Sequence, residues 1–206
     1  MLRLIGLKGR GFFICVEGLD GCGKTTQTRL LVRRLRKLGS DAVYTAEPSR
    51  GKIGRFIRKC CLHCEKRGSP IVEALLFAAD RVEHVKTEVV PALNEGKIVV
   101  SDRYVYSSLA YQGAAGLDLK WITMINKHAI GPDLAIFVDV DPGAVVERLK
   151  PKRSVMEDLG TQRKVREVYV KFVEDGKLAR IDGNRSKKEV ADDILKVVLK
   201  FLKKRG

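Results

Sequence analysis

Short apolar, β-branched runs alternate along the chain with longer stretches whose apolar positions recur every three to four residues. The first run, Phe12, Phe13, Ile14, Cys15 and Val16, predicts a strand, and Thr26 to Leu38 predicts a helix that Gly39 stops. Ala42 to Ala46 reads as a second strand ending in Glu47 and Pro48. Beyond its exit loop, Ser49 to Lys52, a helical pattern runs to about Lys66 and Gly68 closes it. Ser69 and Pro70 then start a helix, because serine caps and proline tolerates the first helical position; Pro91 interrupts this stretch and Gly96 ends it. Ile98 to Asp102 is a third strand, and the stretch from Tyr104 to Tyr111 ends at Gln112 and Gly113. Lys120 to Ile130 reads as a helix and Leu134 to Val140 as a fourth strand, with Asp141 and Pro142 opening a helix to about Leu149. Thr161 starts another helix, and Leu178 to Ile181 is a last strand. Ser186 and Glu189 form a capping box for a final helix with Val190, Ile194, Val197, Val198 and Phe201 on one face. Five apolar strands alternating with helices predict an α/β fold, a parallel sheet covered on both faces.

Composition bounds this picture. With 206 residues and 45% of them apolar, the chain can fill one core, so a single domain over residues 1–206 is expected. A net charge of +15 attracts polyanions in general, whether nucleic acid, membrane surface or nucleotide. Much of the excess falls at helical spacing in Arg29 to Lys37, Lys164 to Lys177 and Lys196 to Arg205, which reads as solvated helix faces. Five cysteines are too few for a disulfide framework, so a reducing cytoplasm is expected. Cys60, Cys61 and Cys64 with His63 lack a second ligand pair and read as helix thiols rather than a zinc site. Met1 to Gly11 lacks the apolar segment of a signal peptide, and no run reaches the length of a membrane span.

The stretch that carries chemistry is Gly18 to Thr25, GLDGCGKT, which satisfies G-x-x-x-x-G-K-[ST] between a strand and a helix. Glycines Gly18, Gly21 and Gly23 let the backbone wrap an anion, so that the amides of this loop and the start of the next helix, through Asp20, Cys22 and Thr26, point at phosphate oxygens. Lys24 is then placed for the β and γ phosphates of a nucleotide and Thr25 for Mg²⁺. Asp102 ends a buried strand, where ligands of open parallel sheets bind and where a Walker-B-like, metal-ligating acid belongs. Arg103 follows as a five-donor cation beside the phosphates. Phe77 and Arg81 are four apart on a predicted helix, a spacing that suits a flat base held between a ring and a guanidinium. The basic, proline-broken stretch Lys150 to Arg153 reads either as a solvated connector or as a lid that closes on phosphates.

Together, CVEGLDGCGKTTQ, FAADR and SDRYVYSSLAYQGA, followed by the basic stretch, resemble the thymidylate kinase family of nucleoside monophosphate kinases from about Phe12 to Leu202. The resemblance implies a P-loop sheet of order 2-3-1-4-5, a homodimer packed through helices, and Mg²⁺-dependent transfer of a phosphoryl group from ATP to dTMP. It implies a P-loop at 18–25, a monophosphate-binding region at about 48–112 and a short basic lid at about 149–160. By the same resemblance Asp20 recognises the sugar 3′-hydroxyl, Phe77 stacks on thymine and Arg81 bonds a thymine carbonyl. Ser108, Tyr111 and Gln112 belong to the substrate pocket. Arg103 lies between donor and acceptor phosphates, with Asp102 near the metal. Arg148 packs on the adenine of ATP, and Arg153, in preference to Lys152, is the lid cation. Two departures bear on the site. TAEPSRG has Ala46 where bacterial members carry arginine, which makes Arg50 the preferred holder of the acceptor phosphate, and Gly21 stands where some members carry a P-loop arginine.

Three rivals differ in class or substrate. The same fold acting on another acceptor is the nearest, and a nucleic-acid-dependent ATPase is motivated by the +15 charge, although no stable nucleic-acid partner is expected. A GTPase switch is suggested only by Asn126 and Lys127, and Ala129 stands where its guanine-reading aspartate belongs.

Overall fold

The structure is a computed structural model that describes residues 11–62, 68–149 and 158–205. Its centre is a five-stranded parallel sheet of β1 (Phe13–Gly18), β2 (Ala42–Ala46), β3 (Ile98–Asp102), β4 (Leu134–Asp139) and β5 (Ala179–Asp182). The strand order is β2-β3-β1-β4-β5. All residues of β1 and β3 are buried, as expected for central strands covered on both faces.

Two successive residues of the extended chain, Phe12 and Phe13, show the two faces. Phe12 meets Phe201 edge-on at 5.6 Å, on the side of α9 (Lys187–Arg205) and α1 (Lys24–Lys37). Phe13 meets Tyr104 at 4.7 Å, on the side of α5 (Val105–Ala114) and α8 (Leu159–Glu174), where Tyr169 stacks on Phe137 at 4.8 Å. The buried Leu31, Val32 and Leu35 of α1 and Ile194, Val198 and Leu202 of α9 complete the core on the first side. Among the described residues no helix is long and apolar enough to cross a membrane.

Between strands lie α2 (Lys52–Ile57), α3 (Pro70–His84), α4 (Val90–Asn94), α6 (Leu119–Ile125) and α7 (Pro142–Arg148). Several predicted ends move. The helix expected to reach Lys66 becomes a π turn at Arg58–Leu62, and residues 63–67, with His63 and Cys64, lie outside the described residues. Pro91 interrupts its stretch as expected, but the break appears upstream as a π turn at Val85–Val89, before the residue that lacks an amide hydrogen. The helix expected to run to Ile130 stops at Ile125, because Asn126 turns its Nδ2 back onto the Ile122 carbonyl at 2.8 Å and presents Oδ1 to Arg81. α8 starts before Thr161, since Asp158 is the cap and its carboxylate accepts from the Thr161 amide at 2.9 Å. The Ser186–Glu189 box forms in both directions, at 3.0 and 3.3 Å.

Candidate active site

The register places Val16 opposite Asp102 and Gly18 opposite Val138, so the loop after β1 and the end of β3 emerge side by side at the carboxyl edge of the sheet. Gly18, Gly21 and Gly23 adopt positive φ of 150, 81 and 92°. At Gly18 a Cβ would stand 2.7 Å from the Val138 carbonyl and 2.8 Å from Cys22 Sγ, so only glycine fits that approach. Gly21 packs against Leu149, where a Cβ would meet Cγ at 3.0 Å, which brings the loop tip to the end of α7 beside the exposed Arg148.

Lys24 is buried, and its Nζ donates to the Leu19 carbonyl at 2.5 Å and lies 3.8 Å from Cys22 Sγ, so the ammonium faces its own loop. Thr25 and Thr26 are exposed at the start of α1. Thr25 Oγ1 donates to Asp102 Oδ2 at 2.5 Å, which pairs an alcohol and a carboxylate across 77 residues of sequence. These hard oxygen donors beside a phosphate-cradling loop fit Mg²⁺, and the glycine-lined loop fits a polyphosphate.

Arg103 is the only non-glycine with positive φ among the described residues, at 70°. A left-handed arginine carries strain of about 1–3 kcal/mol, which its surroundings must hold. Its amide donates to the Val16 carbonyl at 3.0 Å, its guanidinium pairs with the Asp20 carboxylate, and its Cζ lies 5.1 Å from the Tyr111 ring centroid. Burial works against the Arg103 charge, but Asp20 leads the anionic surroundings that push its pKa up overall. The Asp20 amide donates to Tyr111 Oη at 2.9 Å. Asp20, from the glycine-rich loop, and Arg103 and Tyr111, from the stretch after β3, therefore form one cluster.

A second cluster surrounds Arg81, which is buried rather than lying at a pocket surface. Its Nε and Nη2 donate to Glu47 Oε2 at 2.9 and 2.6 Å, Nη2 also to Ser108 Oγ at 3.0 Å, and Nη1 to Asn126 Oδ1. Tyr104 lies under the same guanidinium, 5.2 Å from centroid to Cζ. Among the described residues four of its five N–H groups are engaged, and the fifth is on Nη1. Phe77, one turn earlier on α3, is half-buried, and the buried Gln112 has an Oε1 with no hydrogen-bond donor among the described residues. Glu47 Oε1 further meets His84 Nδ1 at 3.1 Å, and His84 Nε2 meets Thr45 Oγ1 at 2.6 Å.

Arg50 is exposed on the loop leaving β2, its carbonyl accepting from Arg55 at 2.9 Å. That loop is held by groups the pattern did not reveal: Asp80 accepts from the Ser49 amide and hydroxyl at 2.7 and 2.6 Å, and Arg58 donates to the carbonyls of Pro48 and Ser49. Burial raises the Asp80 carboxyl above its ordinary range, and its Ser49 hydrogen bonds oppose that rise. Arg153 and Lys152 lie outside the described residues, as does the whole basic stretch Lys150 to Arg153.

Sequence reasoning also missed Glu17, Glu47 and Tyr169. The available signal for Glu17 was a carboxylate in an otherwise apolar strand, one residue before Gly18, and for Glu47 an acid directly after β2. Nothing local marked Tyr169.

Residues 16–194 match the family model described as thymidylate kinase. A probable thymidylate kinase of Pyrococcus abyssi is 46% identical over 197 residues, covering 92% of this chain and 96% of its own. One from Thermococcus onnurineus is 43% identical over 205 residues, 94% of this chain and 100% of its own, and one from Pyrobaculum aerophilum is 42% identical over 195 residues, 93% and 98%.

Proposed function

The chain belongs to the thymidylate kinase family, whose reaction converts ATP and dTMP into ADP and dTDP, and we propose that the two clusters at the carboxyl edge of its sheet divide that reaction between them. The observation that carries this assignment is the convergence of Lys24, Thr25, Asp102, Arg103 and Asp20 around the loop after β1, one helix away from the Phe77–Arg81 pair. ATP enters with its phosphates on the amides of Gly18 to Thr26, while Arg148 at the end of α7 covers the base. Thr25 and Asp102 would hold Mg²⁺, which would supply neutralisation of the phosphate charge there.

The residues of the chain do the rest by position. Lys24 leaves the Leu19 carbonyl for the β and γ phosphates. Arg103 spans donor and acceptor phosphates, fixes the in-line approach and neutralises the moving group. Arg50 holds the acceptor phosphate from the β2 loop, and Asp20 accepts from the sugar 3′-hydroxyl. Phe77 stacks on thymine, Arg81 donates its remaining N–H to a thymine carbonyl, and Ser108, Tyr111 and Gln112 line the pocket. Arg153 from the basic stretch completes the field and excludes water.

Residues 1–206 then act as one P-loop kinase domain in the cytoplasm, without a stable nucleic-acid or membrane partner. As a homodimer, the second copy covers the exposed apolar side chains Phe56, Ile71, Val72, Leu75 and Val82 on α2 and α3. The test is product formation from ATP and Mg²⁺ with dTMP, dUMP, dGMP, CMP or AMP. Formation of dTDP well ahead of the other diphosphates is expected. Nucleotide hydrolysis without any diphosphate, stimulated by DNA, would replace the kinase with an ATPase.

A further inference from the structure

Glu17 is fully buried at the end of β1, directly before the first glycine of the phosphate loop, and no step above uses it. A carboxylate without solvent is retained only where donors satisfy it, and here they come from two elements of the chain. Oε1 accepts from the Tyr104 amide at 2.9 Å. Oε2 accepts from Ser107 Oγ at 2.6 Å and from Tyr169 Oη of α8 at 3.1 Å, and these two hydroxyls lie 3.1 Å apart.

All three donors bear on Arg103. Tyr104 is the residue after it, so the Oε1 bond pins the carboxyl side of the left-handed Arg103, while Val16 pins its amide. Ser107 has one proton to give. A carboxylate accepts only, so Ser107 must point that proton at Glu17 and turn a lone pair to Arg103 Nη1, which donates to it at 3.2 Å. Tyr169 has no other role in the site, and its hydroxyl closes the ring of bonds from the α8 side.

We propose that Glu17 is a positioning residue that holds Arg103 in its strained backbone conformation and orients the Ser107 lone pair toward its guanidinium, with Tyr169 completing the relay. The proposal rests on the role given to Arg103 in the proposed function. Glu17 does not touch substrate, and no proton leaves it during transfer.

The test compares kcat and both KM values for wild type, Glu17→Ala, Glu17→Gln, Ser107→Ala and Tyr169→Phe in the ATP and dTMP assay. Displacing a guanidinium by about 1 Å costs on the order of 100-fold, so Glu17→Ala should lower kcat by about that factor while both KM values stay within about threefold. Glutamine keeps an acceptor for the Tyr104 amide and can donate to both hydroxyls, so Glu17→Gln should recover kcat to within about tenfold of wild type. Ser107→Ala and Tyr169→Phe should give smaller losses, also in kcat. A Glu17→Ala kcat within twofold of wild type, a loss expressed in KM, or no recovery in Glu17→Gln would overturn the role. If the alanine variant does not fold, the other three decide on the same criteria.

A wild-type enzyme that makes no dTDP would remove the kinase assignment and leave the geometry to be judged separately. Crystal structures of Glu17→Ala or, failing that, Ser107→Ala should then show Arg103 away from its positive φ and detached from Asp20. Arg103 unmoved in both would overturn the positioning role whatever the activity.

Discussion

Glu17 and Glu47 are both buried carboxylates at the carboxyl edge of the sheet, and each serves an arginine. Glu47 does so directly, with two guanidinium bonds from Arg81 and His84 on its other oxygen. Glu17 does so at one remove, through neutral donors alone: a backbone amide, a serine and a tyrosine. The difference separates two uses of a buried charge. An opposite charge in van der Waals range fixes a side chain firmly, and removing either member strands the other. Neutral donors leave the carboxylate under-compensated: burial raises the Glu17 pKa, opposed first by Ser107 and then by Arg103, Tyr169 and Lys24. Such a group contributes orientation rather than net stability. The Arg81 cluster is thus anchored on Glu47 by charge, whereas Glu17 reaches Arg103 through hydrogen bonds from neutral groups.

The largest effect that tests this contrast is on stability. Glu47→Ala strands the Arg81 guanidinium in a buried site and should cost about 3–5 kcal/mol in denaturant unfolding. A loss below about 1 kcal/mol would mean that the pair is not the anchor. Next in size, Arg103→Ala should lower kcat by about 100- to 1000-fold with little change in fold or in the Kd for ATP. Turnover near that of wild type would take Arg103 out of the transfer step. Phe77→Ala removes a stacked ring and should raise the KM for dTMP by an amount corresponding to about 1–3 kcal/mol. An unchanged acceptor KM would remove Phe77 from the pocket.

The smallest effect is a slope in stability against pH. The folded pKa of Glu17 lies above its unfolded value, so its contribution is fully present below the ordinary carboxylate range and is lost as pH rises through the folded value. Arg103 from the end of β3 and Lys24 from α1 face the same group and limit the loss. Glu17→Gln abolishes this titration, so its stability relative to wild type should improve as pH rises through that window. A difference that is flat with pH would show that Glu17 does not titrate there.

Much of the fold was readable locally. Ala42–Ala46 and Ile98–Asp102 appear at their predicted bounds because short β-branched runs end at residues that stop a strand. The phosphate loop was equally legible, since glycine positions and the lysine–threonine pair state a backbone shape. What the sequence hid depends on distant partners. The helix predicted to reach Ile130 stops at Ile125 because the side chain of the next residue, Asn126, serves Arg81, 45 residues away. Arg81 itself was found by its spacing from Phe77, yet its burial against Glu47 has no local signature. Tyr169 stands 152 residues from the carboxylate it donates to, and only the packing of α8 over β1 and β4 brings them together. The roles proposed for Asp20, Arg50 and Arg148 rest on resemblance rather than pattern, because recognition of a sugar, a phosphate or a base leaves no periodic trace.

The most direct test of the contrast is a double-mutant cycle in kcat between Glu17→Ala and Arg103→Ala. If Glu17 acts through Arg103, the alanine substitution at Glu17 should lower kcat in the wild-type background and change little once Arg103 is gone, so the two effects couple strongly. Losses that multiply independently would contradict the relay and leave Glu17 as a buried carboxylate with a separate role.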